Sequence, residues 1–418
     1  MKLPLPANYF QCPPLAQQTI DQLNSRAHNI AMTVVQNSLV QSSETISWSQ
    51  VTSSTTGLQI YKATDARQTN PNIKLYVGVA EVAGTIDEAV ELFRYDTTER
   101  AKAYVARIGK GLLDSANLYT LAEPSVDRPH DSVAINWTAL QSPVKAVVMP
   151  RDSCHLEGQF EFDHRGKRGW VRALKSIDVA CCPDMQQSHG LIRMHQLGSG
   201  HVFLESDRKG YLRIAYIVHS VFNISGFGSD WAVEKAIKRR CASLLDFDTF
   251  LRENRLATGK FLLGDQLVPK DMRHACQLCH KKFGLFVSKT NCFKCGEVFC
   301  GDCNTAWTVP VNGVQTRIEA CKKCALKRPS HRSTSHASSR SYSTRSKGSA
   351  ASFLKQRTPS SSSTSRWPTK ENASPDSPMS TASTATYSDH RLTNESWIQE
   401  FVNNTSLVEV DAVSEQDV

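Results

Sequence analysis

Eight of the 13 cysteines in this 418-residue chain lie between positions 276 and 324, arranged as four CxxC pairs. The pairs are Cys276-x2-Cys279, Cys292-x2-Cys295, Cys300-x2-Cys303 and Cys321-x2-Cys324. Each CxxC pair can present two thiolates to one tetrahedral Zn²⁺, which takes four ligands. The sequence therefore predicts two Zn²⁺ ions in two closed Cys₄ sites. The alternative, eight free cysteines at this spacing, is much less favoured.

The gap of four residues between the second and third pairs is hard to reconcile with consecutive, independent fingers. It favours interleaving, in which pairs one and three bind one zinc and pairs two and four bind the other. A closed four-cysteine site is structural, and zinc would supply most of the folding energy of so small a module. The other five cysteines are scattered, and we expect core or surface thiols because reducing compartments do not sustain disulfides. They are Cys12, Cys154, Cys181, Cys182 and Cys241.

The formal charge of +9 suggests nucleic-acid binding, but zinc changes that reading. Two Zn²⁺ ions and eight thiolates together contribute about −4. Residues 271–327 hold nine Lys/Arg against four Asp/Glu, so this segment would be near neutral with zinc bound. We therefore expect no nucleic-acid partner. The N-terminus has no apolar core of a secretory signal, and no run is long enough to span a membrane, which indicates a cytoplasmic protein.

The chain changes composition at residue 328. Residues 328–370 are basic and rich in serine without any acid, whereas residues 371–418 are acidic. Such polar sequence cannot bury enough apolar surface to offset chain entropy, so residues 328–418 are predicted to be a disordered tail.

Residues 1–255 show patterns of both helix and strand. Apolar residues recur at helical spacing over residues 16–40, within a predicted N-terminal extension of residues 1–49. Roughly eight strands follow, and Thr85 marks the start of a helix. A long closing helix is predicted over residues 231–254. The resulting class is α+β, with an antiparallel sheet wrapped around a terminal helix.

The order of elements, the Pro150-Arg151-Asp152 step into a strand and the closing run of residues 231–251 resemble the START lipid-transfer domain over residues 50–255. The resemblance implies a helix-grip fold with an apolar cavity between the sheet and the last helix. That cavity would hold a sterol, a phospholipid or another amphipath. On this reading the candidates for its wall on the closing helix are Val233, Ile237 and Leu244.

Residues 271–327 resemble the FYVE zinc finger. Phe283 stands where that family has a core phenylalanine, Cys295-Gly296 matches its middle pairs, and Pro310 with Gly313 matches its turn before the last pair. The family binds phosphatidylinositol 3-phosphate on endosomal membranes. A RING finger would usually place a histidine among the middle ligands, so ubiquitin ligase is the weaker assignment.

The phosphoinositide motifs of the FYVE family are largely missing here. The basic string aligns with residues 288–293 and leaves only Lys289 as a cation, and a phosphate-binding arginine aligns with Glu319. The upstream tryptophan aligns with Val268, while Asp271 is retained. Phosphate recognition needs several converging donors, so we expect an impaired site.

The membrane-insertion loop of the family partly survives as Leu285, Phe286 and Val287. These residues either dip into a bilayer or complete the core of the small domain, and both readings stay open. At most, weak contact with anionic membranes is expected.

The sequence shows no motif for catalysis, such as GxSxG. Six histidines lack metal-ligand spacing and are expected to be surface or core residues, namely His155, His164, His189, His195, His201 and His219. The favoured reading is a non-enzymatic, cytoplasmic lipid-handling adaptor, peripheral on endosomal membranes, with protein partners for its finger or tail. The alternatives are a protein-interaction scaffold without a lipid ligand and, less favoured, an enzyme.

Overall fold

A computed structural model describes residues 3–53, 57–94, 97–107, 111–141, 149–222, 229–284, 287–311 and 314–327. The predicted tail, residues 328–418, lies outside this range. Among the described helices, none is long and apolar enough to cross a membrane.

The larger part of the described chain is built on one 11-stranded sheet. Its strands are β1 (Ile46–Ser53), β2 (Gln59–Asp65), β3 (Ile73–Ala83), β4 (Leu112–Ala122), β5 (Ser132–Leu140), β6 (Arg151–His164), β7 (Lys167–Ser176), β8 (Ile192–Arg193), β9 (His195–Gln196), β10 (Ser199–Glu205) and β11 (Tyr211–Val221). The main path runs β1-β2-β3-β11-β10-β7-β6-β5-β4, with antiparallel neighbours throughout. The short β8 pairs in parallel with β6, and β9 pairs with β11.

One face of the sheet is covered by helix α1 (Gln17–Ser38), which confirms the helix predicted there. Its apolar stripe, which includes Ala27, Ile30 and Val34, is buried against β6 and β7. Gly158 in β6 permits this approach, because a Cβ at that position would lie 3.1 Å from the Ala27 Cβ.

The opposite face of the sheet is covered by helices that follow the third and eleventh strands. They are α2 (Ile86–Leu92), α5 (Ser229–Ala242) and α6 (Leu244–Ala257). Thr85 caps α2 as predicted, in a capping box with Glu88. Helix α5 approaches β3 so closely that a Cβ on Gly78 would lie 2.7 Å from the Cys241 Cβ. The α+β arrangement of a sheet against a terminal helical segment is thus confirmed.

The structure corrects the predicted closing helix and adds two elements to the sequence-based assignment. The closing helix is two 14-residue helices meeting at Ser243, and the 22-residue α1 is longer than either. Strand β4 and the short α3 (Thr98–Arg107) lie where no element was predicted. Most of a strand predicted over residues 144–149 falls outside the described residues.

The N-terminal residues pack back onto the same domain. Leu5 is buried, and its backbone N–H donates to the carboxylate of Asp114 in β4. Cys12 forms a disulfide with Cys181, which follows β7 and precedes the short α4 (Gln186–His189). The expectation that both were unpaired thiols was wrong, because 169 positions separate them in the sequence and only the folded arm brings them together.

A second, smaller core lies in the cysteine-rich segment. Two hairpins form it, β12 (Lys289–Asn291) with β13 (Val298–Cys300) and β14 (Asn304–Val311) with β15 (Val314–Cys321), followed by α7 (Lys322–Leu326). Their buried residues are mostly the cysteines, with Phe299, Val309 and Ala320. Leu256 of α6 joins this core, so the closing helix of the larger domain also packs against the finger.

Candidate zinc centres and internal cavity

Two cysteine quartets lie in the small domain, and each brings its four Sγ atoms within 4.8 Å of one another. One quartet contains Cys276, Cys279, Cys300 and Cys303, and the other contains Cys292, Cys295, Cys321 and Cys324. The first combines pairs one and three, the second combines pairs two and four, and the interleaved arrangement is confirmed.

The geometry of the quartets fits tetrahedral Zn²⁺. A Zn–S bond of about 2.3 Å implies S–S separations of about 3.8 Å, and Cys279 Sγ lies 3.7 Å from Cys300 Sγ. Backbone N–H groups also point at the second quartet. Cys321 N lies 3.2 Å and Lys294 N lies 3.4 Å from Cys292 Sγ. These donors stabilise a thiolate, and four cysteine ligands leave no open position, so both sites suit structural zinc.

The local fold explains why distant pairs converge. The turn between β12 and β13 carries Cys292 and Cys295, while Cys321 ends β15 and Cys324 lies in α7. Two hydrogen bonds connect these regions. One runs from Cys321 N to Cys292 Sγ, and the other, 2.9 Å long, runs from Phe293 N to Glu319 O. The two hairpins are therefore held together at the second quartet.

The residues expected at a phosphoinositide headgroup do not present a cluster of outward donors. Lys289 Nζ donates to the backbone carbonyls of Lys270 and Arg273, at 3.1 Å and 2.9 Å. Glu319 is a carboxylate on β15, and Asp271 is exposed in a short turn. The one cation left in the aligned string thus makes backbone contacts within the chain.

Two further cations near these strands were not singled out from the sequence. Arg273 forms a two-bond ion pair with Glu297, with both N–O distances 3.0 Å. Lys294 Nζ donates to Thr258 O at 2.8 Å, just beyond the end of α6. The sequence shows that both side chains are charged, but their contacts depend on how residues 258–273 fold against the finger.

The linker between the two domains lies along the finger. Leu262 N donates to Phe293 O at 2.8 Å, and Val268 N donates to Gly296 O at 3.0 Å. The turn after Cys292 is therefore paired with the linker by backbone hydrogen bonds.

Of the predicted membrane loop, Leu285 and Phe286 lie outside the described residues, as does Gly313. Val287 is half-buried against the core of the finger. Leu263 and Met272, which precede the first cysteine pair, are 66% and 62% exposed. The linker and the start of the finger thus show exposed apolar side chains at positions that the sequence analysis did not select.

The larger domain contains a cavity of about 410 Å³ between the sheet and helices α3, α5 and α6. Its wall combines apolar side chains with several polar side chains that come from different strands. The apolar residues include Leu140, Leu174, Met194, Phe222, Phe247 and Phe250, and the polar ones include Ser115, His155, Arg172, Gln196, His201 and Tyr216.

The three cavity candidates from the sequence do not form this wall. Val233, Ile237 and Leu244 are buried in the core on the sheet side, whereas Ala236, Phe247 and Phe250 line the cavity. The cavity residues of this segment recur at helical spacing on a neighbouring face, from Ala236 through Ser243 to Phe247 and Phe250. Periodicity predicted an apolar stripe but could not show which face of the segment borders the cavity.

A buried ion pair lies beside the cavity. Arg172 Nε and Nη2 donate to the two carboxylate oxygens of Glu157, at 2.7 Å and 2.9 Å. Both side chains are almost fully buried, and the two charges offset each other.

Two imidazole nitrogens in the cavity wall have no hydrogen-bond partner in the described part of the chain. They are His155 Nε2 and His201 Nδ1. His155 Nδ1 lies 3.2 Å from Ser153 Oγ, and the His201 ring stacks on Tyr216 with 4.4 Å between ring centroids. Burial, together with the positive charge of Arg172, holds the pKa of His201 well below its usual value, so its ring is neutral. Sequence spacing did not indicate that His155 and His201 both line the cavity, because the two histidines lie on different strands.

The comparisons with known proteins address the two regions separately. Residues 266–329 match the model of the FYVE zinc finger family. The glutamine sensor PIB2 of Saccharomyces cerevisiae is 27% identical over 88 residues, covering 17% of this chain. The chain spans about 14% of the length of that curated relative.

Among solved structures, the human StAR-related lipid transfer protein 5 matches 55% of this chain and 93% of its own, with 15% identity and a TM-score of 0.38. Human STARD10 matches 54% of this chain and 82% of its own, with 13% identity and a TM-score of 0.36. A STAR-related lipid transfer protein from Xanthomonas axonopodis matches 49% of this chain and 98% of its own, with 14% identity and a TM-score of 0.35. The chain thus carries a FYVE zinc finger at residues 266–329, after a domain similar to these structures.

Proposed function

We propose that this chain is a non-enzymatic lipid-handling protein, in which the cavity of the larger domain holds an amphipathic lipid. The observation that carries the proposal is a pair of buried ring nitrogens in the cavity wall, His155 Nε2 and His201 Nδ1, which have no hydrogen-bond partner among the described residues. The nearest carboxylate oxygen to His155 Nε2, Glu157 Oε2, lies 3.7 Å away, beyond hydrogen-bond distance. Buried polar atoms are normally hydrogen-bonded, so such atoms facing a cavity favour a ligand that supplies the missing partner. The neighbouring phenylalanines favour a ligand that is otherwise apolar.

Native mass spectrometry of the full chain, purified without detergent from a lipid-containing host, tests this proposal. We expect a mass increment of two zinc ions and one discrete lipid. A protein with two zincs that stays empty after incubation with mixed lipids would contradict lipid handling, and would favour the scaffold alternative. A His155→Phe variant should retain both zincs but lose lipid occupancy.

We further propose that the finger does not recognise phosphatidylinositol 3-phosphate as a specific headgroup. Lys289 is directed to two backbone carbonyls, and the position of a phosphate-binding arginine is held by Glu319. Two convergent donors or more are needed for tight, geometry-specific phosphate binding. The finger is then a zinc-stabilised module for weak contact with anionic membranes, as at endosomes, or for protein partners, with the tail as a second partner site.

Liposome sedimentation tests the second proposal. The full chain should bind vesicles with 3-phosphate and with the isomeric 4-phosphate equally weakly, and the binding should fall with added salt. A strong preference for the 3-phosphate would show that the headgroup site is intact. The Glu319→Arg variant is the informative comparison, since it restores a cation and should increase binding.

A further inference from the structure

One end of the cavity carries a cluster of arginines. Arg151 begins β6, and Arg239 and Arg240 lie near the end of α5. All three line the cavity, together with Asp246 from α6. Arg239 is exposed, so this end reaches solvent. Three arginines against one aspartate leave this part of the wall with an excess of positive charge.

Two of these arginines have no acidic partner in the described part of the chain. Arg240 Nη2 contacts Met194 Sδ at 3.6 Å, and Arg151 forms no ion pair there. Burial, and the like charge of Arg240, lower the pKa of Arg151. The stretch before Arg151, residues 142–148, contains no aspartate or glutamate in its sequence. Two guanidinium groups that lie together and have no acidic partner among the described residues form a favourable site for an anion, because each gains charge-assisted hydrogen bonds from it.

The charge of Arg172, deeper in the cavity wall, is already neutralised. Arg172 is matched by Glu157, and His201 is neutral, so an anionic group placed at that depth would have no uncompensated cation. Arg151 and His155 lie on the same face of β6, four residues apart, which corresponds to about 13 Å along a strand. The positive end and the neutral polar part of the cavity are therefore separate.

We infer that the cavity takes an anionic, single-chain amphipath, whose carboxylate or phosphate monoester binds Arg151 and Arg240 while its chain lies along the apolar wall. This inference rests on the proposed function and names the ligand class for the same cavity. The volume of about 410 Å³ is at the lower end of the range of small-molecule pockets, about 300–1,000 Å³, which favours one acyl chain over two. Phe222, Phe247 and Phe250 supply apolar surface for that chain.

The test compares three oleoyl probes of equal chain length on the delipidated full chain, by equilibrium dialysis below their micelle concentrations. The probes are oleate, oleoyl lysophosphatidic acid and the neutral mono-oleoylglycerol. We expect at least one anionic probe to bind about tenfold or more tightly than the neutral glyceride. The two acids distinguish a carboxylate site from a phosphate site.

Matched variants locate the anionic group. Arg151→Gln and Arg240→Gln should each weaken the anionic probe about tenfold and leave the neutral glyceride unchanged. Lys235→Gln removes one positive charge from the exposed side of α5, the helix that carries Arg240. It should change the affinity for neither the anionic probe nor the neutral glyceride. Thermal unfolding identifies a variant that does not fold. If Arg151→Gln unfolds, Arg240→Gln and the salt dependence of wild-type binding carry the test.

The outcomes separate this inference from the proposed function. Binding of mono-oleoylglycerol as tight as that of both acids, or variants without effect, would overturn the anionic site and leave lipid handling standing. Failure of every probe, together with an empty cavity in native mass spectrometry, would overturn both.

Discussion

The backbone N–H of Thr308 in the finger donates a hydrogen bond to Glu253 Oε1 in the closing helix, 3.1 Å long. Three residues later, Leu256 is buried in the core of the finger, while Phe250 lines the cavity one turn earlier. Helix α6 thus contributes to the cavity and to the finger core along one continuous element. The stability of the finger and of the closing helix should therefore be coupled.

The Glu253 contact gives a direct measure of this coupling. Glu253→Ala removes the acceptor from a part-buried hydrogen bond of the Thr308 N–H, which should cost about 0.5–1.5 kcal/mol in the free energy of unfolding. Hydrogen exchange should speed up in both β14 and the end of α6. Glu253→Gln retains an acceptor oxygen and should lose less. Equal effects of the two variants would show that the hydrogen bond is not the source of the coupling.

Loss of zinc should unfold the finger. Cys295→Ser changes an exposed residue, so it removes a ligand without opening a cavity in the core. We expect the zinc content to fall from two ions towards one, with loss of the finger's thermal transition, since structural zinc sites supply folding energy directly. Elemental analysis and calorimetry measure both. Cys182→Ser, a buried residue outside the quartets, is the control and should keep two zincs.

An ion pair joins the closing helix to the capped helix α2. Arg255 Nε and Nη2 lie 2.6 Å and 2.8 Å from the two oxygens of Glu88, and Nη2 also donates to Ala83 O. Arg255→Met should destabilise the protein by about 3–5 kcal/mol in urea unfolding, because it leaves a partly buried carboxylate unpaired. Arg252→Met breaks the more exposed pair with Asp248 on the same helix, and should cost no more than about 1 kcal/mol. Similar losses for the two variants would contradict this ranking.

Half-buried His219 predicts a stability that depends on pH. Desolvation, with a smaller effect from Lys175, lowers the pKa of His219 to about 4 from 6.5. The unfolded chain then binds a proton that the folded chain excludes, so stability is complete above about pH 6.5 and falls as the pH drops towards 4. The loss from this group is at most about 3 kcal/mol. The free energy of unfolding, measured with urea between about pH 4 and pH 6.5, should fall less steeply with decreasing pH in His219→Gln than in wild type. An unchanged dependence on pH would exclude His219 as the source of the pH effect.

The sequence alone determined the features that depend on local spacing. The four CxxC pairs and the short gap between the middle two predicted the interleaved quartets, because a tetrahedral metal fixes how many thiolates must meet. Thr85 and the stripe of α1 were equally readable, since capping and helical periodicity involve residues three or four positions apart.

The tertiary structure decided the features made by residues far apart in the chain. Arg151 and Arg240 meet at the cavity because β6 and α5 both border it, and Cys12 meets Cys181 because the N-terminal arm folds back. The packing of α5 and α6 on the sheet likewise decided that Phe247 and Phe250, and not Val233, Ile237 and Leu244, line the cavity. Sheet register and helix packing set these contacts, and no periodicity within a single element specifies either of them.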